Sequence, residues 1–448
     1  MTRLAAWHER GGEVAVAGLG RSGVAAVRLL ARHGIPVYAS DRGATAAEAT
    51  RTLAGPGVTI ETGGHDLARI ARSMALVLSP GIPPDAPVVV TARQAGVEVI
   101  AEAALGLEAL PGVAWIGITG TNGKTTTTTL VGHLLERAGR RSVAAGNIGL
   151  PLSCVALEAE APEWMAVELS SFQLHDMPVL RPAVGVLTNL SPDHLDRYPD
   201  LAAYYADKAR LFEGAHAGSL WVHNLDDPES RTMVADVAGR HFAFSTRVRA
   251  DAWFDRDGGV LRIGETPLIA RNRLPLLGDH NVANALAAAL AVTLTGVPVS
   301  VVGDGLTDVA ALPHRMEPVA TIDGVRYIND SKATNIASTR VALEAMVEPF
   351  VLLLGGRHKG EPYTALADVL GRARAVVTFG EAAPLVVDHL TGLVPITRVD
   401  SFEEAIEAAR RLARAGDAVL LSPACSSYDM FDNYEQRGAR FRTLVGGA

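Results

Sequence analysis

The chain has 448 residues, more than one ordinary core accommodates, so two or three domains are expected. Hydrophobic residues make up 48% and charged residues 20%, a globular balance that excludes a disordered or fibrous chain. With 41 Lys+Arg against 49 Asp+Glu the net charge is −8, which leaves no broad basic field for nucleic acid, so bound phosphates must be held by local devices. Cys154 and Cys425 lie far apart without metal-ligand spacing, so neither a disulfide framework nor a zinc site is indicated. The first ten residues lack a signal-peptide core, and no uncharged apolar run reaches the roughly 18 residues of a membrane helix. A cytoplasmic protein without a membrane span is expected.

Short β-branched runs alternate with helical stretches, the pattern of mainly parallel sheets covered by helices. The first block, residues 1–109, begins with a strand at Val14–Ala17, a glycine loop, a helix at Val24–Arg32 and a strand at Pro36–Ala39 leading to Asp41. The loop Gly18-Leu19-Gly20-Arg21-Ser22-Gly23 fits G-x-G-x-x-G, with Asp41 about twenty residues on to meet a ribose hydroxyl. That is the fingerprint of a dinucleotide-binding domain, and a nicotinamide dehydrogenase is the strongest rival reading. The physics specifies only a pyrophosphate near a helix N-terminus, which a UDP-sugar also offers, and both readings stay open on this loop. The run Ala75–Leu78 enters Ser79-Pro80-Gly81-Ile82-Pro83-Pro84, where the prolines preclude a continuing helix.

The second block, 110–311, starts with a strand at Val113–Ile118. Gly117-Ile118-Thr119-Gly120-Thr121-Asn122-Gly123-Lys124-Thr125 then opens a helix running through Leu130, Leu134 and Leu135. Glycines let backbone N–H groups converge on phosphate oxygens, Lys124 adds a point charge, and Thr125 offers a hydroxyl to magnesium. The strict pattern G-x-x-x-x-G-K-[ST] would place glycine at 118, so the loop is a variant. Downstream, Glu168 ends an apolar run, and a polar turn, Asn189-Leu190-Ser191-Pro192-Asp193-His194-Leu195-Asp196-Arg197, follows a strand at Val184–Thr188. Leu201–Phe212 reads as a helix with Lys208 inside its apolar stripe. Such a lysine must snorkel, pair with a carboxylate or carry altered chemistry, and the residues alone favour snorkelling. Asn281 and Asn284 share one face at the start of an Ala-rich helix reaching Gly296.

The third block, 312–448, opens with Leu312-Pro313-His314-Arg315 and has strands at Val325–Ile328, Phe350–Leu354, Ala375–Phe379 and Ala418–Leu421. Polar clusters follow three of them: Asp330–Asn335, Gly355–Gly360 and Ser422–Tyr428. Ligands bind beyond the carboxyl ends of strands in open α/β sheets, so all three should border one crevice.

Thr119-Gly120-Thr121-Asn122-Gly123-Lys124-Thr125 resembles the nucleotide loop of the Mur ligases, which join amino acids to UDP-N-acetylmuramoyl peptides and count folylpolyglutamate synthetase among their relatives. The resemblance implies three α/β domains: a Rossmann-like N-terminal domain for the UDP end, a P-loop NTPase-like central domain for ATP, and a Rossmann-like C-terminal domain for the amino acid. It assigns ATP to Gly120, Thr121, Asn122, Gly123, Lys124, Thr125 and Thr126, with Asn281 and Asn284 at the adenine end. Arg315, whose fork suits phosphate, joins Asp330 and Lys332 on the ATP side. Two magnesium ions would meet Thr125, Glu168, His194 and a carbamylated Lys208, whose amine has become an oxygen ligand. The UDP-muramoyl substrate would meet Arg21, Ser22, Asp41, Ser79, Gly81, Asn147, Ser170, Gln173, His194 and Arg197. The incoming glutamate would meet Thr334, Lys359, Ser427, Tyr428 and Tyr434. Lys124, His194, Lys208 and Lys332 would be catalytic.

Ser170-Ser171-Phe172-Gln173 points to the branch that adds D-glutamate to UDP-N-acetylmuramoyl-L-alanine through an acyl phosphate, as a monomer, in peptidoglycan synthesis. Three features depart from the commonest family pattern: Arg357-His358 before Lys359, Tyr428 where leucine is frequent, and Tyr434 where phenylalanine is frequent. Other amino-acid ligases of the family and a non-catalytic nucleotide switch remain alternatives.

Overall fold

A computed structural model describes residues 2–43, 52–194, 197–309 and 313–446. Among them, three sheets follow one another along the chain. The expected division at 311/312 lies outside the described residues.

The first sheet contains β1 (Val14–Ala17), β2 (Val37–Asp41), β3 (Val58–Thr62), β4 (Ala75–Leu78) and β5 (Glu98–Ala101), all parallel, in the order β3-β2-β1-β4-β5. Every residue of β1 and β4 is buried, as continuous apolar runs in a doubly covered parallel sheet should be. The following helix spans Arg21–Arg32, three residues more than the apolar periodicity indicated, because extended Gly20 is its N-cap. Arg21 and Ser22 therefore lie in its first turn.

The second sheet runs β14-β13-β12-β11-β10-β9-β6-β8-β7. Its strands are β6 (Ala114–Thr119), β7 (Ser142–Gly146), β8 (Trp164–Glu168), β9 (Val184–Leu187), β10 (Leu220–Asn224), β11 (Arg240–Ser245), β12 (Ala252–Asp255), β13 (Val260–Ile263) and β14 (Thr266–Ala270). The pairs from β7 to β12 are parallel, whereas β12, β13 and β14 form an antiparallel extension. Asp257-Gly258-Gly259 makes the first reversal, with Gly259 at φ 64°.

The third sheet has β15 (Glu317–Ile322), β16 (Val325–Asn329), β17 (Phe350–Gly355), β18 (Ala373–Phe379), β19 (Ile396–Arg398) and β20 (Ala418–Leu421), in the order β15-β16-β20-β17-β18-β19. Only the β15–β16 pair is antiparallel.

The chain forms two compact units. The first joins residues 1–190, 200–271 and 284–306, and the second joins 191–199, 272–283 and 307–448. The segments 191–199 and 272–283, read from sequence as central, thus belong with the C-terminal sheet. Within the first unit, Ala101, Ala103 and Ala104 share one buried cluster with Leu152, Val155 and Val167, so its two sheets are bound through a common core. Among the described residues, no helix is long and apolar enough to cross a membrane.

Candidate active site

β6 ends at Thr119, and the helix Lys124–Arg137 begins four residues after Gly120. Gly120 (φ 141°) and Gly123 (φ 80°) take backbone conformations that side chains rarely adopt. A Cβ on Gly120 would stand 2.0 Å from Thr188 Oγ1, and one on Gly123 would stand 2.2 Å from Asn284 Oδ1. Ile118, where the strict pattern has glycine, is buried inside β6 and needs no special conformation. Thr188 and Asn189, at the end of β9, clamp the loop. The Thr121 N–H donates to Asn189 O at 2.8 Å and the Asn122 N–H to Asn189 Oδ1 at 2.9 Å. Asn122 O accepts from Thr188 Oγ1 at 2.6 Å and from Asn189 Nδ2 at 3.0 Å. Lys124 Nζ arches back over the loop to Gly120 O (2.9 Å) and Thr121 O (2.7 Å). Thr125 is half-buried and Thr126 buried. Asn284 Oδ1 lies 3.4 Å from Thr127 Oγ1, and Asn281 Nδ2 donates to Leu277 O at 2.8 Å.

Lys208 does not snorkel. Its residue is 1% exposed, on the helix Leu201–Ala209, and Nζ donates to Gly120 O at 2.8 Å. Tyr205, Leu211 and Phe212 of the stripe enter the central hydrophobic cluster, while Tyr204 and Lys208 reach the phosphate loop, whose carbonyl takes the ammonium head. Nζ also lies 4.5 Å from the Tyr204 ring centroid, and Tyr204 Oη donates to Thr121 Oγ1 at 3.3 Å. Two lysine ammonium groups, of Lys124 and Lys208, therefore converge on one carbonyl oxygen.

Glu168 is the last residue of β8 and only 2% exposed. Oε1 accepts from Asn147 Nδ2 at 2.9 Å, while Oε2 is buried with no hydrogen-bond partner. An orphaned carboxylate oxygen is costly in an apolar setting, and a hard cation would satisfy it. Together with the Thr125 hydroxyl, this donor set fits magnesium. Among the described residues no cluster of three or more His, Cys, Asp or Glu is assembled, so such an ion would need nucleotide oxygens or water as well. Beside it, Ser170 and Gln173 bind each other in a capping box: Ser170 Oγ accepts the Gln173 N–H at 3.3 Å, and Gln173 Oε1 accepts the Ser170 N–H at 3.1 Å.

In the first sheet, Asp41 Oδ2 accepts the Leu19 N–H at 2.6 Å and Oδ1 accepts the Gly43 N–H at 2.7 Å. Ser79 Oγ donates to Gly18 O at 2.8 Å. Asp41 and Ser79 thus fasten the glycine loop itself, with Arg21 and Gly81 exposed and Ser22 half-buried. Beyond the ends of β2 and β3, Arg42, Gly63, Gly64, His65, Leu67 and Pro87 line a hollow of about 470 Å³. Burial and neighbouring Arg42 push the His65 imidazole below its ordinary value, although Asp41 and Glu61 oppose them.

In the second unit, buried Asp193 is ringed by three expected or adjacent site residues. Its Oδ2 accepts from Asn335 Nδ2 at 2.8 Å, its Oδ1 accepts the His194 N–H at 2.9 Å, and Lys359 Nζ lies 3.9 Å from Oδ1. Burial pushes the Asp193 carboxyl up, but Lys359, His194 and these donors outweigh it and hold the group below its ordinary value. His194 sits at φ 57°, and Arg197 is exposed. Arg315 is flanked by His314 (φ 64°) and Met316 (φ 44°). The His314 N–H donates to Glu317 Oε2 at 2.8 Å and the Met316 N–H to Asp330 Oδ1 at 3.2 Å, which brings Arg315 beside Asp330. Burial raises the Asp330 carboxyl to about 7, with Ser422, the Met316 N–H and the Arg315 and Arg437 charges pulling the other way. Lys332 Nζ lies 3.8 Å from the Tyr434 ring centroid. Thr334 is half-buried and Ser427 buried, whereas Tyr428 is 64% exposed.

Comparison with known proteins bears on the whole length. The profile of the Mur ligase middle domain matches residues 118–292, that of the Mur ligase glutamate ligase domain 314–425, and that of the MurD-like N-terminal domain 12–101. The UDP-N-acetylmuramoylalanine–D-glutamate ligase of Acidobacterium capsulatum is 41% identical over 445 residues, covering 97% of this chain and 96% of that one. The chain belongs to the Mur ligase family. The protein of the same name from Anaeromyxobacter dehalogenans is 43% identical and covers 99% of both. Among solved structures, the UDP-N-acetylmuramate-alanine ligase MurC of Thermotoga maritima aligns at TM-score 0.64 and 18% identity over 97% of this chain and 99% of that one, a likeness of fold.

Some architecture of this Mur ligase has only a faint signal in the sequence. Arg437 is fully buried, donating to Ser331 Oγ (3.0 Å), Ser331 O (2.8 Å) and Cys425 O (3.2 Å). It binds the cluster after β16 to the cluster after β20. Arg437, Phe441 and Val445 recur at four-residue steps, so an arginine inside an apolar stripe was the available signal. Thr188 and Asn189 follow a strand directly, which could have marked them as loop supports. Arg42 and His65 carry no such pattern.

Proposed function

We propose that this chain is an ATP-dependent ligase that adds D-glutamate to UDP-N-acetylmuramoyl-L-alanine in peptidoglycan synthesis. One observation carries the reading: end-to-end identity above 40% to ligases of that name, in a chain whose Lys124 arches over a phosphate loop. The triphosphate draws Lys124 off the loop carbonyls and lies at the positive end of the helix Lys124–Arg137, while Asn189 keeps the Thr121 and Asn122 N–H groups. The terminal L-alanine carboxylate accepts the γ-phosphoryl group, and ADP leaves. The D-glutamate amine then attacks the acyl carbon, releasing phosphate and a proton. A carboxylate is a poor electrophile, so the phosphoryl group supplies the leaving group, and alignment with charge neutralisation does the rest.

Magnesium, when bound, supplies charge neutralisation at the phosphates, and Thr125, Glu168, His194 and Lys208 would hold it. Carbamylation of Lys208 is part of the proposal. Two ammonium groups on Gly120 O repel each other, and conversion of one to a carbamate would reverse its sign. Arg315 and Lys332 would neutralise phosphate charge, while Lys359, Thr334 and Ser427 would receive the glutamate carboxylates. The nucleotide substrates favour the cytoplasm as the place of reaction.

The test is mass analysis of products from UDP-N-acetylmuramoyl-L-alanine, ATP, magnesium and each glutamate enantiomer. An adduct formed only with the D-enantiomer and only with ATP is expected. A preference for another amino acid, or no ATP-dependent amide at all, would overturn the reading.

A further inference from the structure

Glu102 is a buried carboxyl that the reaction above does not use. It opens the helix Glu102–Glu108, which follows β5, the last strand of the N-terminal sheet. Its side chain crosses to the central domain, where Oε1 accepts the Ser153 N–H at 2.7 Å. Ser153 lies in the first turn of the helix Leu152–Leu157, whose own N-cap is Pro151 and brings no side-chain hydrogen bond. Glu102 therefore caps, from another domain, a helix start that cannot cap itself. The contact is close along its length: a Cβ on Gly106 would stand 2.5 Å from the Leu152 carbonyl carbon.

The capped helix is one end of a short span whose other end is in the candidate site. The Gly146 N–H donates to Leu150 O, and the Asn147 N–H to Glu168 O, both at 2.9 Å. Asn147 Nδ2 holds Glu168 Oε1. A second tie closes the same border, where the Ala101 N–H donates to Asp176 O at 2.8 Å and Arg93 pairs with Asp176 at 2.7 Å. Residues 147–151 thus run from the carboxylate that fits a cation to the carboxyl that anchors the uridine-binding domain.

We propose that Glu102 is a positioning residue: by capping the helix Leu152–Leu157 from the N-terminal domain, it sets the register between the bound UDP-muramoyl substrate and the Asn147–Glu168 pair. The inference rests on the reading of the N-terminal domain as the uridine module. The phosphate loop is held separately, by Thr188 and Asn189, so KM for ATP at saturating magnesium is the internal control. Burial pushes the Glu102 carboxyl above its ordinary range, against the hydrogen bonds from Ser153. A group biased toward its neutral form loses little on becoming a carboxamide: the amide oxygen keeps the Ser153 N–H, and the NH2 replaces Oε2, a buried oxygen with no well-formed hydrogen bond.

The experiment compares wild type, Glu102→Ala and Glu102→Gln by steady-state kinetics and by hydrogen exchange at the Ser153 amide. Glu102→Ala should raise KM for the UDP-muramoyl substrate roughly tenfold, leave KM for ATP within about twofold, and speed exchange at Ser153 at least tenfold. Glu102→Gln should restore all three to within about twofold. Equal rises in both KM values, an unaffected alanine variant, or a glutamine variant as impaired as alanine would overturn the proposal. Should Glu102→Ala not fold, Glu102→Asp withdraws the carboxyl by one methylene and must show the same split. The exchange measurement reads the cap independently of substrate, so a wild type that ligates some other substrate would overturn the functional reading without touching this result.

Discussion

Asp330→Asn should stabilise the second unit, by an amount that grows with pH. In the folded chain the carboxyl is raised from its ordinary 3.8 to about 7, chiefly by burial. The folded state therefore holds its proton more tightly than the unfolded chain does. Below the ordinary value both states are protonated and folding carries no penalty. As pH rises toward about 7 the unfolded carboxyl ionises first, and the penalty grows until the folded group ionises too. The full gap amounts to roughly 4 kcal/mol, an upper figure because nearby water or a shifted arginine would relieve part of it. The asparagine fits the same bonds: its carbonyl keeps the Met316 N–H, and its amide donates to Ser422 Oγ, which passes its own proton to Thr339 Oγ1 at 3.1 Å. Trp7, Trp115, Trp164, Trp221 and Trp253 all belong to the first unit, so tryptophan fluorescence would miss the effect. Hydrogen exchange at β16 and β20 during urea titration reads it directly. The gap between variant and wild type should be about 2 kcal/mol near about pH 5 and roughly 4 kcal/mol near about pH 8.5, and it should vanish below about pH 3. A gap identical at the two pH values would refute the reasoning.

Two further substitutions test the phosphate loop and its cation. Gly123→Ala places a side chain at φ 80° and 2.2 Å from Asn284 Oδ1, so it should cost about 2 kcal/mol of stability and weaken ATP binding at least tenfold by calorimetry. Retained affinity would show that the loop rearranges freely. Glu168→Gln keeps the size of the side chain but removes its charge; the magnesium concentration giving half-maximal activity should rise roughly tenfold or more, with thermal stability held or improved. An unchanged magnesium requirement would remove Glu168 from the cation site.

The alternation of strands and helices, and the loop ending in Lys124, were legible because both rest on local rules: apolar period, glycine placement and strand-to-helix order. The antiparallel extension β12–β14 was not read, although Asp257-Gly258-Gly259 announces a hairpin; its strands are short and only half-buried, so their alternation is weak. Lys208 shows the limit most clearly. Its place in an apolar stripe was plain, but whether its head reaches water or a carbonyl depends on what packs above the helix, and that partner, Gly120, lies 88 residues away. Asp41 and Ser79 are expected from sequence to meet the UDP end of the substrate, and in the structure their oxygens fasten the glycine loop. Residue type and spacing can bring such groups to a loop without saying which side of the backbone they face. Asp193 and Arg437 were hidden for a related reason: each acts by gathering segments distant in sequence.

The meeting of Lys124 and Lys208 at Gly120 O also ties two helices to one turn of backbone. An anion that draws either ammonium head off that carbonyl therefore tugs on the helix Leu201–Ala209 as well as on the helix Lys124–Arg137, so occupancy of the loop is felt by both helices.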